Sequence, residues 1–306
     1  MNRTAAILLT IACAMTLGGC FTGIESTPRI NDPEGRHSHA TPSAEAVFFA
    51  AVRPEAPAAW RPGKKWVVTD DKIGIIFTPQ INEPLRGDTI TLAATGTSPT
   101  IMGGESVDLT FTLPDGSLAT YATGMAAEEF KVRERHDIPF VVELSAVATA
   151  DSLLRDRLCY ITTPLWYDAE GKARAGLRYV PARLQGVTPG TAVHPLLVTF
   201  TSDSLPGTHT VFLTYGSGTT ATRNFDRLFS FTNPRDAYPR ITDATWHLIV
   251  HSQVAEGMTR DECRLALGTP SDIRRGATTA AHIEQWTYDD GIYLIFEDGI
   301  LTRFRR

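Results

Sequence analysis

His247 and His251 stand four residues apart in a stretch with helical periodicity, the spacing at which two imidazoles reach one metal ion from one helix face. Between them lies Leu248-Ile249-Val250, with no glutamate to act as a base, and no third ligand follows. The pair reads as two histidines on a helix surface, and no metal is expected. His37 and His39 lie in a polar stretch and suggest adventitious metal contact at most. Gly216-Ser217-Gly218-Thr219-Thr220 lacks the lysine and spacing of a phosphate loop and the pattern of a nucleophile elbow, so it reads as a turn. Asp115, Asp168, Glu170, Asp289 and Asp298 all fall in short segments ending at glycine, where carboxylates cap turns. None pairs as acid and base. The expectation is a protein without enzymatic activity or cofactor.

The amino terminus carries the most specific chemistry. Arg3 precedes an apolar stretch from Ala5 to Leu17, and the small residues Gly18 and Gly19 follow. That order is a secretory signal, and the stretch is short for a membrane-spanning helix. The ending Leu17-Gly18-Gly19-Cys20 resembles the lipobox of bacterial lipoproteins. The resemblance implies that residues 1–19 leave as a signal peptide, that the Cys20 thiol takes a diacylglyceryl group, and that the new amino terminus is acylated. Several acyl chains at ~0.8 kcal/mol per buried CH₂ would hold the protein firmly to a membrane. Phe21 stands where many inner-membrane lipoproteins carry aspartate, so the resemblance points to the outer membrane, on either its periplasmic or its external side. The competing reading of these residues is an ordinary secretory signal or plain membrane anchor. Cys159 and Cys263 remain for the folded part, either as one disulfide or as two thiols buried in apolar runs.

These groups need a body to carry them. At 306 residues and 42% hydrophobic, the chain can bury more than one core. The net charge is -5 without a block of five like charges, which argues against a nucleic-acid partner. With 19 Pro and 24 Gly between short Val, Ile, Thr, Phe and Tyr runs, a strand-rich fold is expected. Residues 20–42 read as a tether, and 43–64 as a short helix and linker, with Ser43 as cap and Val47, Phe48, Ala51 and Val52 on one stripe. Residues 65–235 read as β-rich, in one or two small antiparallel sandwiches or barrels (65–141 and 160–231). Within them Trp66 to Thr69 and Ile73 to Phe77 are expected as strands around Asp70-Asp71-Lys72. Leu196 to Thr201 and Thr210 to Tyr215 are expected as a hairpin, with a helix near Val147 to Leu158.

Residues 236–306 change character, so the expected fold class is mainly β with an α+β carboxyl-terminal part. Thr242 or Asp243 opens a helix that Gly257 closes. Thr259-Arg260-Asp261-Glu262 is a capping box, and the helix it opens ends at Gly268 before Pro270. Three strands follow: Glu284 to Tyr288, Ile292 to Phe296 and Leu301 to Arg305. The run Glu256-Gly257-Met258-Thr259 through Leu267-Gly268-Thr269-Pro270, with Trp286-Thr287-Tyr288 and Phe296-Glu297-Asp298-Gly299, resembles the BamE (SmpA/OmlA) domain. The resemblance covers about Ile241 to Arg306 and implies two helices on a three-stranded sheet. It also implies an outer-membrane accessory lipoprotein, and the same fold serves in proteinaceous enzyme inhibitors. The family's assembly factor carries this domain close behind its lipidated cysteine, whereas here more than 200 residues intervene.

Strand alternation places Trp286, Tyr288, Ile292, Leu294 and Phe296 on one face of the terminal sheet, and Tyr293 and Ile295 on the other. Two helices cover one face only. Trp286, Tyr288, Tyr293 and Ile295 are therefore candidates for a binding surface, unless the β-rich region covers the second face. The leading expectation is a non-enzymatic lipoprotein, anchored through lipid on Cys20, whose modules contact envelope proteins. Its rival is a glycan- or peptidoglycan-binding β module with Trp60, Trp66 or Trp166 as a stacking platform.

Overall fold

A computed structural model of the chain describes residues 41–100, 103–168, 171–216, 223–277 and 281–305. Cys20, His37 and His39, Ser217 to Thr220, Glu170 and Arg306 lie outside those residues, as does nearly all of the expected tether. The described chain is mainly β, with 38% strand and 21% helix. Every strand pairing is antiparallel, so short turns, not crossover helices, can make most connections.

The first sheet contains β1 (Lys65–Val68), β2 (Phe77–Thr78), β3 (Thr89–Pro99), β4 (Glu105–Thr112), β5 (Leu118–Ala122) and β6 (Val141–Glu143), in the order β2-β5-β4-β3-β1-β6. Alternation sends Trp66 and Val68 of β1, and Leu109 and Phe111 of β4, into one core with Ile90 and Leu92. Residues 73–77 correct the expectation of a strand beside β1. Ile73–Ile76 is one helical turn, and only Phe77 and Thr78 pair, with β5. A four-residue apolar run satisfies either periodicity, and tertiary contacts decide. Here the Asp71 carboxylate accepts the Leu85 and Arg86 amides at 2.7 Å each, and Gly74 lies against the Ile81 carbonyl where a Cβ would stand 2.2 Å from its oxygen.

The second sheet contains β7 (Leu158–Ile161), β8 (Leu165–Tyr167), β9 (Ala173–Ala175), β10 (Val180–Pro189), β11 (Leu196–Ser202), β12 (Leu205–Leu213) and β13 (Phe229–Ser230). Their order is β13-β7-β10-β11-β12-β8-β9. The hairpin of β11 and β12 runs in register from Leu196↔Leu213 to Thr201↔Thr208. Neither region is two facing sheets; each is one curled antiparallel sheet over its own core.

Helices close these cores. Helix α1 (Ala44–Phe49) is capped by the Ser43 hydroxyl, which accepts the Ala46 amide. It is no part of a loose linker: Phe49 stacks on Phe225 at 4.9 Å, and Glu45 accepts the amide of Phe231. In chain order, α2 is the turn Ile73–Ile76, α3 is Ala127–Val132, α4 is Leu144–Leu154 and α5 is Phe225–Leu228. Helix α4 begins three residues before the expected Val147 and ends at Leu154, since Leu158 opens β7; its Val147, Ala150 and Leu154 face the second core.

The carboxyl-terminal part has α6 (Asp243–Val250), α7 (Arg260–Leu267) and four strands: β14 (Asp272–Ala277), β15 (His282–Thr287), β16 (Tyr293–Glu297) and β17 (Ile300–Arg305). The sheet order is sequential, β14-β15-β16-β17. Thr242 caps α6, and Thr259 and Glu262 make the reciprocal capping box of α7. The fourth strand corrects the expected three. Its register from Asp272↔Thr287 to Ala277↔His282 is regular, but it holds one large apolar residue, Ile273, and therefore shows no alternation in sequence. No helix among the described residues is long and apolar enough to cross a membrane.

Candidate interaction surface

Trp286 and Tyr288 lie in the terminal core, which corrects their assignment to a binding surface. The Trp286 ring is 1% exposed, packs on Phe296 at 4.7 Å, and lies under the Arg264 guanidinium at 5.0 Å. Its Nε1 donates to Glu284 Oε2 at 3.1 Å. The Tyr288 hydroxyl donates to the Gly268 carbonyl at the end of α7. The reason is simple: this face carries the largest apolar residues of the sheet, and α6 and α7 use it to bury their own stripes, with Ile249, Cys263 and Ala266 in the same core.

Tyr293 and Ile295 point the other way and are half-buried. Register builds the face around them as two rows. One is Asp272, Thr287, Tyr293 and Arg305; the other is Arg274, Gln285, Ile295 and Arg303. Arg274, Gln285, Arg303 and Arg305 are exposed. The β-rich region meets the terminal part on its helical side instead. The Tyr179 hydroxyl donates to the Leu265 carbonyl, its ring packs on Trp246, and the Arg178 amide donates to Val250. Arg274 is held by Asp272 at 3.1 Å within its own strand, while Arg303 and Arg305 have no acidic partner among the described residues. An aromatic and aliphatic centre rimmed by guanidinium groups is a composition suited to protein contact.

The three tryptophans of the rival reading are interior, which removes them as a stacking platform. Trp60 is 6% exposed, Trp66 3% and Trp166 1%. Trp60 and Trp66 pack edge to face at 5.1 Å, and Trp166 packs on Phe200 and His209. Each indole N–H that is bonded serves the fold: Trp60 donates to the Glu55 carbonyl and Trp166 to the Thr163 carbonyl.

The remaining sequence candidates fall as follows. His247 and His251 lie on the exposed side of α6 with rings 4.2 Å apart, and His251 Nδ1 donates to the His247 carbonyl, fixing its tautomer. No group of three or more potential metal ligands converges among the described residues. Asp115 and Asp168 each accept a backbone amide in their own turn, and Asp298 accepts the amide of His282 at the start of the neighbouring strand β15. Cys159 and Cys263 are free thiols buried in two different cores, and burial pushes both up to about 12.

Two constellations escaped sequence reading. Lys64 Nζ lies 2.8 Å from Glu55 and 2.8 Å from Glu143, with its own side chain 7% and that of Glu143 4% exposed. Glu143 Oε1 also accepts the Glu55 amide and, at 2.5 Å, the Ser145 hydroxyl. The only sequence signal was a glutamate ending the apolar run Phe140-Val141-Val142. This hub ties the segment before β1 to β6 and α4, and with its ammonium held between two carboxylates it is built for cohesion. The second is a cavity of about 140 Å³ between the first and second sheets, lined by Trp66, Arg135, His136, Glu143, Pro195 and Tyr215 among others.

His136 beside that cavity packs on Phe130 at 5.1 Å, and its Nε2 is buried without a protein partner among the described residues. Burial, then the nearby Arg133, holds its pKa below the ordinary 6.5, against the weaker pull of Asp137. A depressed imidazole means that the unfolded chain takes up the proton first. Its contribution is therefore present above about pH 6.5 and lost as pH falls below it. The urea midpoint is expected to drop between pH 7.5 and 5.5, and His136→Gln is expected to flatten that slope. An unchanged slope in the variant would assign the effect elsewhere.

Comparison with protein-family models, curated proteins and solved structures found no match. What fold and surface define is a mainly antiparallel β protein with three separate cores, ending in a sheet with one helix-covered face and one open face.

Proposed function

We propose that this chain is a non-enzymatic lipoprotein of a bacterial cell envelope, anchored through lipid on Cys20, that contacts envelope proteins through its terminal sheet. The observation that carries the contact half of the reading is the sheet face on which Tyr293 lies beside Arg305 and Ile295 beside Arg303. Because both side chains are already half-buried, covering the rest would contribute about half of the roughly 1.5–3 kcal/mol for a large apolar side chain taken from full exposure, or about 1 kcal/mol each. The anchor half rests on the sequence from Arg3 to Cys20. The outer membrane is favoured by Phe21, and the BamE-like reading of the last 66 residues rests on their sequence pattern, with β14 as an addition to it.

The test is capture from crosslinked cell envelopes with the lipidated protein and with a Tyr293→Asp/Ile295→Asp variant. One or more envelope proteins recovered by the first and lost at least about tenfold by the second is the expected outcome. Equal recovery, or no envelope protein above background, contradicts the proposal. The variant's thermal melt checks that both proteins are folded.

A further inference from the structure

Strand β14 is the outer strand of the terminal sheet, bonded to β15 on one side only. Five of its six residues are exposed, and none of its backbone groups is taken up by a neighbouring loop among the described residues. The far edge is different: β17 already has Leu301 bonded to Gly257 and Met258. An open six-residue edge offers backbone donors and acceptors to any extended chain.

The side chains on that edge select the chain. Arg274 projects with Gln285 on the open face, and Arg275 projects with Glu284 on the opposite one. Their acidic partners hold them weakly. Asp272 and Arg274 are both largely exposed, and Arg275 stands 3.6 Å from Glu284, whose carboxylate is already bonded to Arg260 at 2.6 Å and to the Trp286 N–H. Arg275 and Arg260 flank a cleft of about 390 Å³ that also reaches His282 and Asp298. Gly299, at φ +87° in the turn before β17, lies beside the Arg260 guanidinium on that cleft's wall.

We propose that the β14 edge, with Arg274 on one face and Arg275 and Arg260 on the other, is a strand-addition site for an extended acidic segment of a partner protein. This rests on the reading of the chain as a protein-contact module. Backbone pairing supplies affinity along the edge, and carboxylates of the added strand meet arginines on both faces, where guanidinium groups bind carboxylates in two-pronged fashion. A second copy of the same edge is disfavoured in the fully overlapped register, where antiparallel pairing of two β14 strands sets Arg274 against Arg275.

The experiment uses the full chain and an eight-residue fluorescent peptide of two Glu-Glu-Val-Val repeats, which puts carboxylates on both faces of an added strand, followed by anisotropy and by amide exchange. Binding is expected, with slowed exchange at Asp272 to Ala277. It should weaken at least about tenfold when alternate peptide amides are methylated, and again in Arg274→Glu/Arg275→Glu. A lysine-valine peptide should bind the wild type at least about tenfold less and the charge-reversed variant better. Equal binding of the two peptides, indifference to methylation, or no protection of β14 would overturn the proposal. If envelope capture depends on Tyr293 and Ile295 but not on Arg274 and Arg275, this site fails while the broader reading stands.

Discussion

Lys64→Met is expected to destabilise the protein by about 3–5 kcal/mol, the scale for breaking a buried ion pair by removing one partner. The substitution leaves Glu143, 4% exposed, with only the Glu55 amide and the Ser145 hydroxyl, and leaves two carboxylates facing one gap. Glu55→Gln should cost less than about 1 kcal/mol, because that side chain is 48% exposed and screened by water. Lys64→Met/Glu143→Leu should recover part of the loss, since an apolar pair of similar volume carries no unpaired charge. Urea unfolding of the four proteins at neutral pH gives the comparison. A loss below about 1 kcal/mol for Lys64→Met would show that the hub is not holding β6 and α4 to the preceding segment.

Gly176→Ala is expected to cost about 3 kcal/mol or more, at the upper end of overpacking effects. An added Cβ would lie 2.1 Å from Trp166 Cδ2 and within 2.4 Å of two further indole atoms. The ring has nowhere to go: it is 1% exposed, its Nε1 is bonded to Thr163, and Phe200 and His209 pack against it. Gly96→Ala is the control, in a strand where a Cβ meets nothing within 4 Å and the backbone is not in the left-handed region. At roughly 2–4 °C per kcal/mol for a protein of this size class, the first variant should melt about 6–12 °C lower and the second within about 2 °C of wild type. Equal melts would mean that the indole yields.

Where local chemistry decides structure, the sequence was readable. Thr259 and Glu262 are three residues apart and need only each other to cap α7. The β11–β12 hairpin and the caps at Ser43 and Thr242 are similarly local. Where distant contacts decide, the sequence misled. Ile73–Ile76 looks like a strand until Asp71 draws Leu85 and Arg86 over it. Strand β14 has almost no apolar pattern because it is an edge whose side chains meet water.

The candidate surface shows the same division. Alternation separated Tyr293 and Ile295 from Leu294 and Phe296, because strand period is a local property. It did not say which face the helices would take, so Trp286 and Tyr288 were grouped with the surface although they form its reverse side. The hub of Lys64 and Glu143 joins residues 79 positions apart, and no motif spacing marks such a pair.

The most direct measurement is incorporation of labelled fatty acid into the chain expressed in a Gram-negative host, with membrane fractionation of wild type and Cys20→Ser. The account predicts label in the wild type, none in the variant, and loss of the variant from the membrane pellet. An unlabelled wild type, or a Cys20→Ser protein that pellets as the wild type does, would contradict it.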